Sequence, residues 1–330
     1  MFSDNNQISN RQLQILIITN NLGIGLILLP KIFFGYSILN MIILLSLVTA
    51  TIILMYKAAE KFKGKSFFNY MEKNFGIYIT KLLSIFLLAK IILTTAYELK
   101  LLAWIIKIYV LPNTNEFVTS LILILAAAYL ISKGYETRAR LCEILIWLIV
   151  LPLAITFLIS LFNLEQIIID NNRINVKETF YSLFIFSQLD YLFLSKQFVK
   201  NNSCKKILQA TFLTWLLITF LTYIINLRIN FETPLPILKL MSMTDIPGGF
   251  VQNQDFFIIS FVIISFFVLV SSGLFFSTMI TTKKISLATA ITFFSLLIPN
   301  NFLKPAIYIL GSFFYFLLPL IILCKGGEKN

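Results

Sequence analysis

The stretch "IITNNLGIGLILLP", residues 17–30, lies inside the first long apolar run of the chain and carries two asparagines, two glycines and a proline. In hydrocarbon an unpaired peptide group is expensive, so a helix interrupted at membrane depth persists only where the gap lines a protein-walled cavity. Gly23 and Gly25 permit such unwinding, and Asn20 and Asn21 supply side-chain amides to repair it. The same glycines also suit a second arrangement, an intact helix approached closely by a neighbour. The stretch alone leaves both open.

Composition sets the solvent in which the rest must be read. The 330 residues are 58% hydrophobic and include 33 Phe against 15 acidic residues, with a mean hydropathy of +0.87. No soluble core absorbs that many apolar side chains, so the chain reads as an all-α integral membrane protein. A crossing helix needs roughly 20 apolar residues, fewer where it is broken. Apolar runs between charged or turn-rich breaks place ten candidate helices near 12–29, 39–56, 81–110, 117–131, 143–161, 179–195, 207–227, 256–279, 285–298 and 307–323. The run at 285–298 is the shortest.

Loop charge supports that count. With the N-terminus inside, eighteen of the 27 basic residues fall in inner segments, six in outer ones, and Lys90, Lys100 and Lys107 within the third span. This asymmetry predicts a multi-pass cell-membrane protein with both termini cytoplasmic. The net charge of +12 is spread over several inner segments, which argues against nucleic acid as a partner. The first ten residues lack a basic leader and no small-residue cleavage site follows the first span, so that helix is expected to stay in place.

Chemistry-bearing motifs are sparse. There is no His; Cys142, Cys204 and Cys324 show no C-x-x-C spacing, and neither a Walker A nor a G-x-G-x-x-G pattern occurs. The expectation is a non-enzyme with no cofactor and no metal site.

Transporters built from two inverted five-helix repeats carry an interrupted helix at the start of each, with the ligand held between them. A single membrane domain over 1–330, with repeats at about 11–161 and 179–323, predicts a second interruption in the sixth span. That span, "YSLFIFSQLDYLFLSK" (181–196), places Ser187, Gln188 and Asp190 at its centre. It lacks Gly and Pro, so the break is inferred from polarity. An Asp190 that simply bonds a neighbouring helix is the plainer alternative.

The third span holds the most expensive residues. Eleven Leu, Ile or Phe in 86–106 contribute roughly −3 to −7 kcal/mol on the insertion scale. Lys90, Glu98 and Lys100 together cost about 7–10 kcal/mol. Glu98 and Lys100 lie about 160° apart on the helix, so Glu98 needs a partner, or a proton, from another helix. Glu98, with Tyr97 beside it, is therefore a candidate cavity residue, whereas Lys90 and Lys107 are expected to snorkel towards the two interfaces. Ser271 and Ser272 put small polar groups in the eighth span, suited to a ligand or to plain helix packing.

The segment "LPNTNEFVTSLILILAAAYLISKGYETRARLCEIL", 111–145, resembles the spore germination permease family, the B subunits of nutrient germinant receptors, within the amino acid, polyamine and organocation transporters. Similar features are "ISNRQL" (8–13) before the Gly-x-Gly pair, Lys133-Gly134 followed by Glu136, Arg140 and Glu143, and "MTDIPGGFVQNQD" (243–255). The likeness runs over essentially the whole chain. Two departures stand out: Ser187-Gln188 replace the family's usual Gly-Glu, and Thr114-Asn115 stand where Thr-Pro is expected.

The resemblance implies a leucine-transporter-like bundle with interrupted helices 1 and 6 and an amino-acid-sized pocket between the first, third, sixth and eighth spans. Ligand contacts would come from Asn20, Asn21, Gly23, Gly25, Tyr97, Glu98, Ser187, Gln188, Asp190, Ser271 and Ser272. It also implies a small nutrient, such as an amino acid, as ligand, receptor A and C subunits as partners, and the inner membrane of the spore as location. A proton-coupled amino-acid transporter remains the alternative. Glu136, Arg138, Arg140 and Glu143 read as an inner clasp or coupling surface, with Glu136 and Arg140 paired across one helical turn.

Overall fold

The computed structural model describes residues 7–62, 66–162, 173–185, 189, 191–199, 203–229, 235–242, 254–281 and 285–325. Ser187, Gln188, Asp190 and most of the 243–255 motif lie outside these. The described residues are almost entirely helical, and their one bridge, Ile8 to Val199, is isolated. Helix satisfies each backbone group within its own segment, which a lipid environment demands.

The helices are α1 (Asn10–Ile32), α2 (Leu39–Glu60), α3 (Phe67–Phe75), α4 (Ile77–Tyr109), α5 (Glu116–Ser132), α6 (Tyr135–Phe162), α7 (Val176–Ser182), α8 (Tyr191–Ser195), α9 (Cys204–Arg228), α10 (Pro236–Ser242), α11 (Gln254–Ile280), α12 (Ile285–Ser295), α13 (Asn300–Ser312) and α14 (Leu318–Cys324). Helix occupies part of every one of the ten apolar runs. Six stretches are individually long and apolar enough to cross a membrane: α1, α2, α4, α9, the Ile259–Ile280 part of α11, and Asn300–Cys324, which joins α13 to α14. α5 and the start of α6 add at most a seventh, bent by 116°. The chain is thus a multi-pass helical membrane protein.

Local signals explain the element ends. α1 begins at a capping box, in which Gln12 N–H donates to Ser9 Oγ at 3.2 Å and Ser9 N–H to Gln12 Oε1 at 3.0 Å. This is what the "ISNRQL" motif does. Between α5 and α6 the chain turns at Gly134, whose φ of +95° is open to glycine and strained for side chains with a Cβ. That accounts for the Lys133-Gly134 pair. α7 ends at Ser182, a 3₁₀ turn follows at Leu183–Ile185, and α8 begins at Tyr191.

The first span corrects the sequence expectation. α1 runs without interruption through Gly23, Gly25 and Pro30. Pro30 stands near its C-terminal end, and the glycines serve close packing instead of unwinding. A Cβ on Gly23 would stand 2.9 Å from Ser265 Cβ on α11, and one on Gly25 would stand 2.6 Å from Ile218 Cδ1 on α9. α1 packs against α6, α9 and α11 and is buried along most of its length. A matching approach occurs at Gly273 on α11, where an added Cβ would collide with Thr95 on α4. Two sides of α11 thus depend on absent side chains.

Gly23→Ala and Gly273→Ala are each expected to destabilise the bundle by about 1–3 kcal/mol, the range for overpacking a dense interior. Thermal unfolding of the purified protein in detergent checks this. A melting temperature equal to wild type in both variants would show that the helices separate freely at these points.

Candidate functional site

One end of the bundle, the end where α1 and α4 terminate, is hollow. A cleft of about 1350 Å³ is walled by Ile24–Ile32 residues of α1, Thr94, Tyr97, Lys100, Ala103, Trp104 and Lys107 of α4, the α4–α5 turn, Glu178 and Phe184 of the α7 region, and Asn300, Lys304, Ile307 and Tyr308 of α13. The aromatic floor has defined geometry: Tyr181 stacks on Tyr308 with centroids 4.7 Å apart, and Phe184 lies 5.5 Å from Tyr308. Lys304 Nζ stands 5.9 Å from the Tyr97 ring centroid, a cation–π contact at the rim.

Tyr97 is the residue named from sequence that the structure places on this wall. Asn20, Asn21, Gly23, Gly25, Glu98, Ser271 and Ser272 lie in the packed interior instead. The cleft is walled by α1, α4, the α7 region and α13, so the tenth apolar run takes the place expected for the eighth. α11 stays behind the wall because its small residues let α1 and α4 close over it.

A second polar assembly sits deeper. Arg138, only 1% exposed, donates from Nε to Ser271 Oγ at 3.0 Å and from Nη2 to Ser272 Oγ. Ser272 Oγ in turn donates to Asn20 Oδ1 at 3.2 Å. The guanidinium carbon lies 5.6 Å from the Tyr135 ring centroid, and Tyr135 stacks on Phe275 at 4.7 Å. Asn20 of α1, Arg138 of α6 and two serines of α11 thus form one chain of hydrogen bonds. Among the described residues no carboxylate pairs with Arg138, and its Nη1 finds no hydrogen-bond partner. Asn21 Oδ1 is likewise buried without a partner among them.

Arg138 is thus buried, apart from the charged residues it was expected to share a cytoplasmic clasp or coupling surface with, whereas the Glu136–Arg140 pair forms as expected. Arg140 and Glu136 form an exposed ion pair at 2.6 Å, and Glu143 accepts from Gln12 Nε2 at 3.3 Å, tying α6 to the first turn of α1. The helical repeat separates the two roles. Arg138 stands about 200° around the helix from Glu136, on the face that buries Tyr135, Cys142 and Ile149. A helical wheel of the 135–149 block carries that signal.

Lys90 is a second correction. It does not snorkel: it is 1% exposed, with Nζ 3.3 Å from Tyr315 Oη and 4.9 Å from that ring's centroid. Tyr315 belongs to a π-helical turn, Phe313–Leu317, whose widened backbone links α13 to α14. Lys107 does reach the surface and pairs with Glu116 at 2.9 Å. Glu98 is fully buried one residue from the cleft wall.

The described residues form a helical, multi-pass membrane protein with a cleft entering between its helices. A family model described as spore germination protein, of the spore permease type, matches residues 7–304. The chain belongs to that family. No curated protein matches it.

Stability should expose the buried charge. Replacing Ser271 and Ser272 together by Ala leaves the guanidinium without those acceptors and is expected to cost about 2–5 kcal/mol. Adding Arg138→Met to that pair should recover part of the loss, because the orphaned charge carries the penalty. Thermal unfolding of the double and triple variants measures it. A triple variant less stable than the double one refutes this account of the network.

Proposed function

We propose that this chain is the nutrient-binding membrane subunit of a spore germinant receptor. In this reading a small nutrient, such as an amino acid, enters the cleft and settles against Tyr97. The rearrangement of the bundle is then passed to receptor A and C subunits in the inner membrane of the spore. The ten-helix, two-repeat arrangement belongs to the same proposal, with the first helix of the first repeat unbroken. The observation that carries it is the cleft itself, about 1350 Å³ in volume and reaching Thr94 in mid-α4, in a chain of the spore germination family. Concave sites with a few polar groups on an aromatic wall are where small ligands bind.

The buried network gives such binding something to act on. Asn20, Ser272 and Arg138 join three helices through neutral oxygens, and α1 runs from this network to the cleft wall. A ligand that binds one arrangement of α1 more tightly than another shifts the population accordingly.

A second reading, a proton-coupled amino-acid transporter, draws on Glu98. Its carboxyl is buried one residue along α4 from Tyr97 on the cleft wall.

Deleting the gene in its host and following optical-density loss of purified spores across amino acids, sugars and nucleosides tests the proposal. The expected result is loss of response to one nutrient class, restored by the wild-type gene and at least about tenfold less sensitive with Tyr97→Ala. Responses unchanged across the whole panel would remove the receptor reading. Gradient-driven uptake into liposomes, abolished by Glu98→Gln, would move the conclusion to the transporter.

A further inference from the structure

We propose that the cleft is built for a small soluble molecule carrying at least two negative charges, held by Lys31, Lys100 and Lys304. The inference rests on the cleft being the nutrient site and names the chemical class of the nutrient.

Charge is the first observation. Four lysines and two glutamates line the cleft. Lys107 and Glu116 neutralise each other at 2.9 Å. Three lysines then face one remaining carboxylate, Glu178. They come from three separate helices: Lys31 from the last turn of α1, Lys100 from α4 and Lys304 from α13. Convergence of one sign from three elements is unlike the scatter of lysines on a solvated face. A concave site lined by one sign of charge focuses its field on the space within.

The lysines are also available. Among the described residues neither Lys31 nor Lys304 makes an ion pair or hydrogen bond, and Lys304 only rests over the Tyr97 ring. Lys100 uses one N–H on the Ile298 carbonyl, which leaves two of its three donors.

The backbone adds to the same field. α13 begins at Asn300, on the cleft wall, with no acidic residue in its first turn and no side-chain cap. Its N-terminal N–H groups and dipole present positive potential to the cavity. Asn113, Thr114 and Asn115 place further polar groups along the rim.

A zwitterionic amino acid brings no net charge to this field, and a polyamine is repelled by it. A dicarboxylate or tricarboxylate satisfies two lysines at once, and the cavity volume exceeds what either needs. An acidic phospholipid headgroup shares this chemistry, and the test separates the two sources.

The experiment uses the full chain in nanodiscs of zwitterionic lipid, titrated calorimetrically with succinate, citrate, L-alanine and putrescine at two salt concentrations. Succinate and citrate are expected to bind at least about tenfold more tightly than L-alanine, weakening with salt. Lys31→Gln and Lys304→Gln should each weaken the dianions about threefold and together about tenfold, since each lysine is exposed. Lys→Arg at both positions should retain most of the affinity.

L-alanine binding as tightly as succinate, with affinity unmoved by the Gln variants, overturns the anion inference and leaves the nutrient site standing. A folded, monodisperse protein that binds none of the four overturns both. Displacement of succinate by cardiolipin added to the nanodisc would assign the lysines to a lipid headgroup and overturn the soluble source.

Discussion

The close approach of α1 to α11 and α9, made at Gly23 and Gly25, is the constraint on which the remaining architecture depends. Because no side chain stands between them, the helix axes come near enough for Asn20 to reach Ser272, and for Ser272 to be reached in turn by Arg138 from α6. A larger residue at Gly23 would meet the backbone of α11 at Ser265 and Phe266 and push α1 away from the serines of that chain of hydrogen bonds. In lipid there is little hydrophobic force between helices to compensate, so packing and interhelical hydrogen bonds carry the association. The two effects are therefore coupled through the same few residues.

Around that seam the bundle is asymmetric. One half is dense and holds two buried cations, Arg138 and Lys90, each of which meets a tyrosine ring, Arg138 also reaching two serine hydroxyls. The other half is open and holds the lysine-lined cleft. A buried guanidinium held by neutral oxygens, as Arg138 is, depends on geometry, and such networks respond sharply when one member moves. α1 belongs to both halves. Its first turn is tied to Glu143 of α6 through Gln12, its middle joins the buried network, and its last turns wall the cleft. That continuity supplies a physical route from an occupied cleft to the opposite face of the protein.

The family motifs acquire separate reasons in this frame. "ISNRQL" is a helix start with a capping box and a tie to α6; Lys133-Gly134 is a turn that needs a positive φ; Glu136 and Arg140 pair on the exposed side of the helix that follows. Arg138, between that pair, does different work because it faces inward.

Apolar run length is enough to read a helical, multi-pass membrane protein, because backbone satisfaction in lipid leaves so few alternatives. The sequence also located Glu98, Asn20, Ser271 and Ser272 as polar groups inside the membrane. Partnership was not legible. Whether Gly23 and Gly25 break a helix or admit a neighbour depends on Ser265 and Ile218, more than 190 residues away. Arg138 was grouped with the charges beside it, and only its inward face and the serines of α11 decide otherwise. The cleft is likewise a property of the packed bundle, since its lysines come from segments joined only by tertiary structure. Local sequence determines which backbone hydrogen bonds form, whereas which side chains meet, and which stay open to a ligand, is decided by how the helices pack.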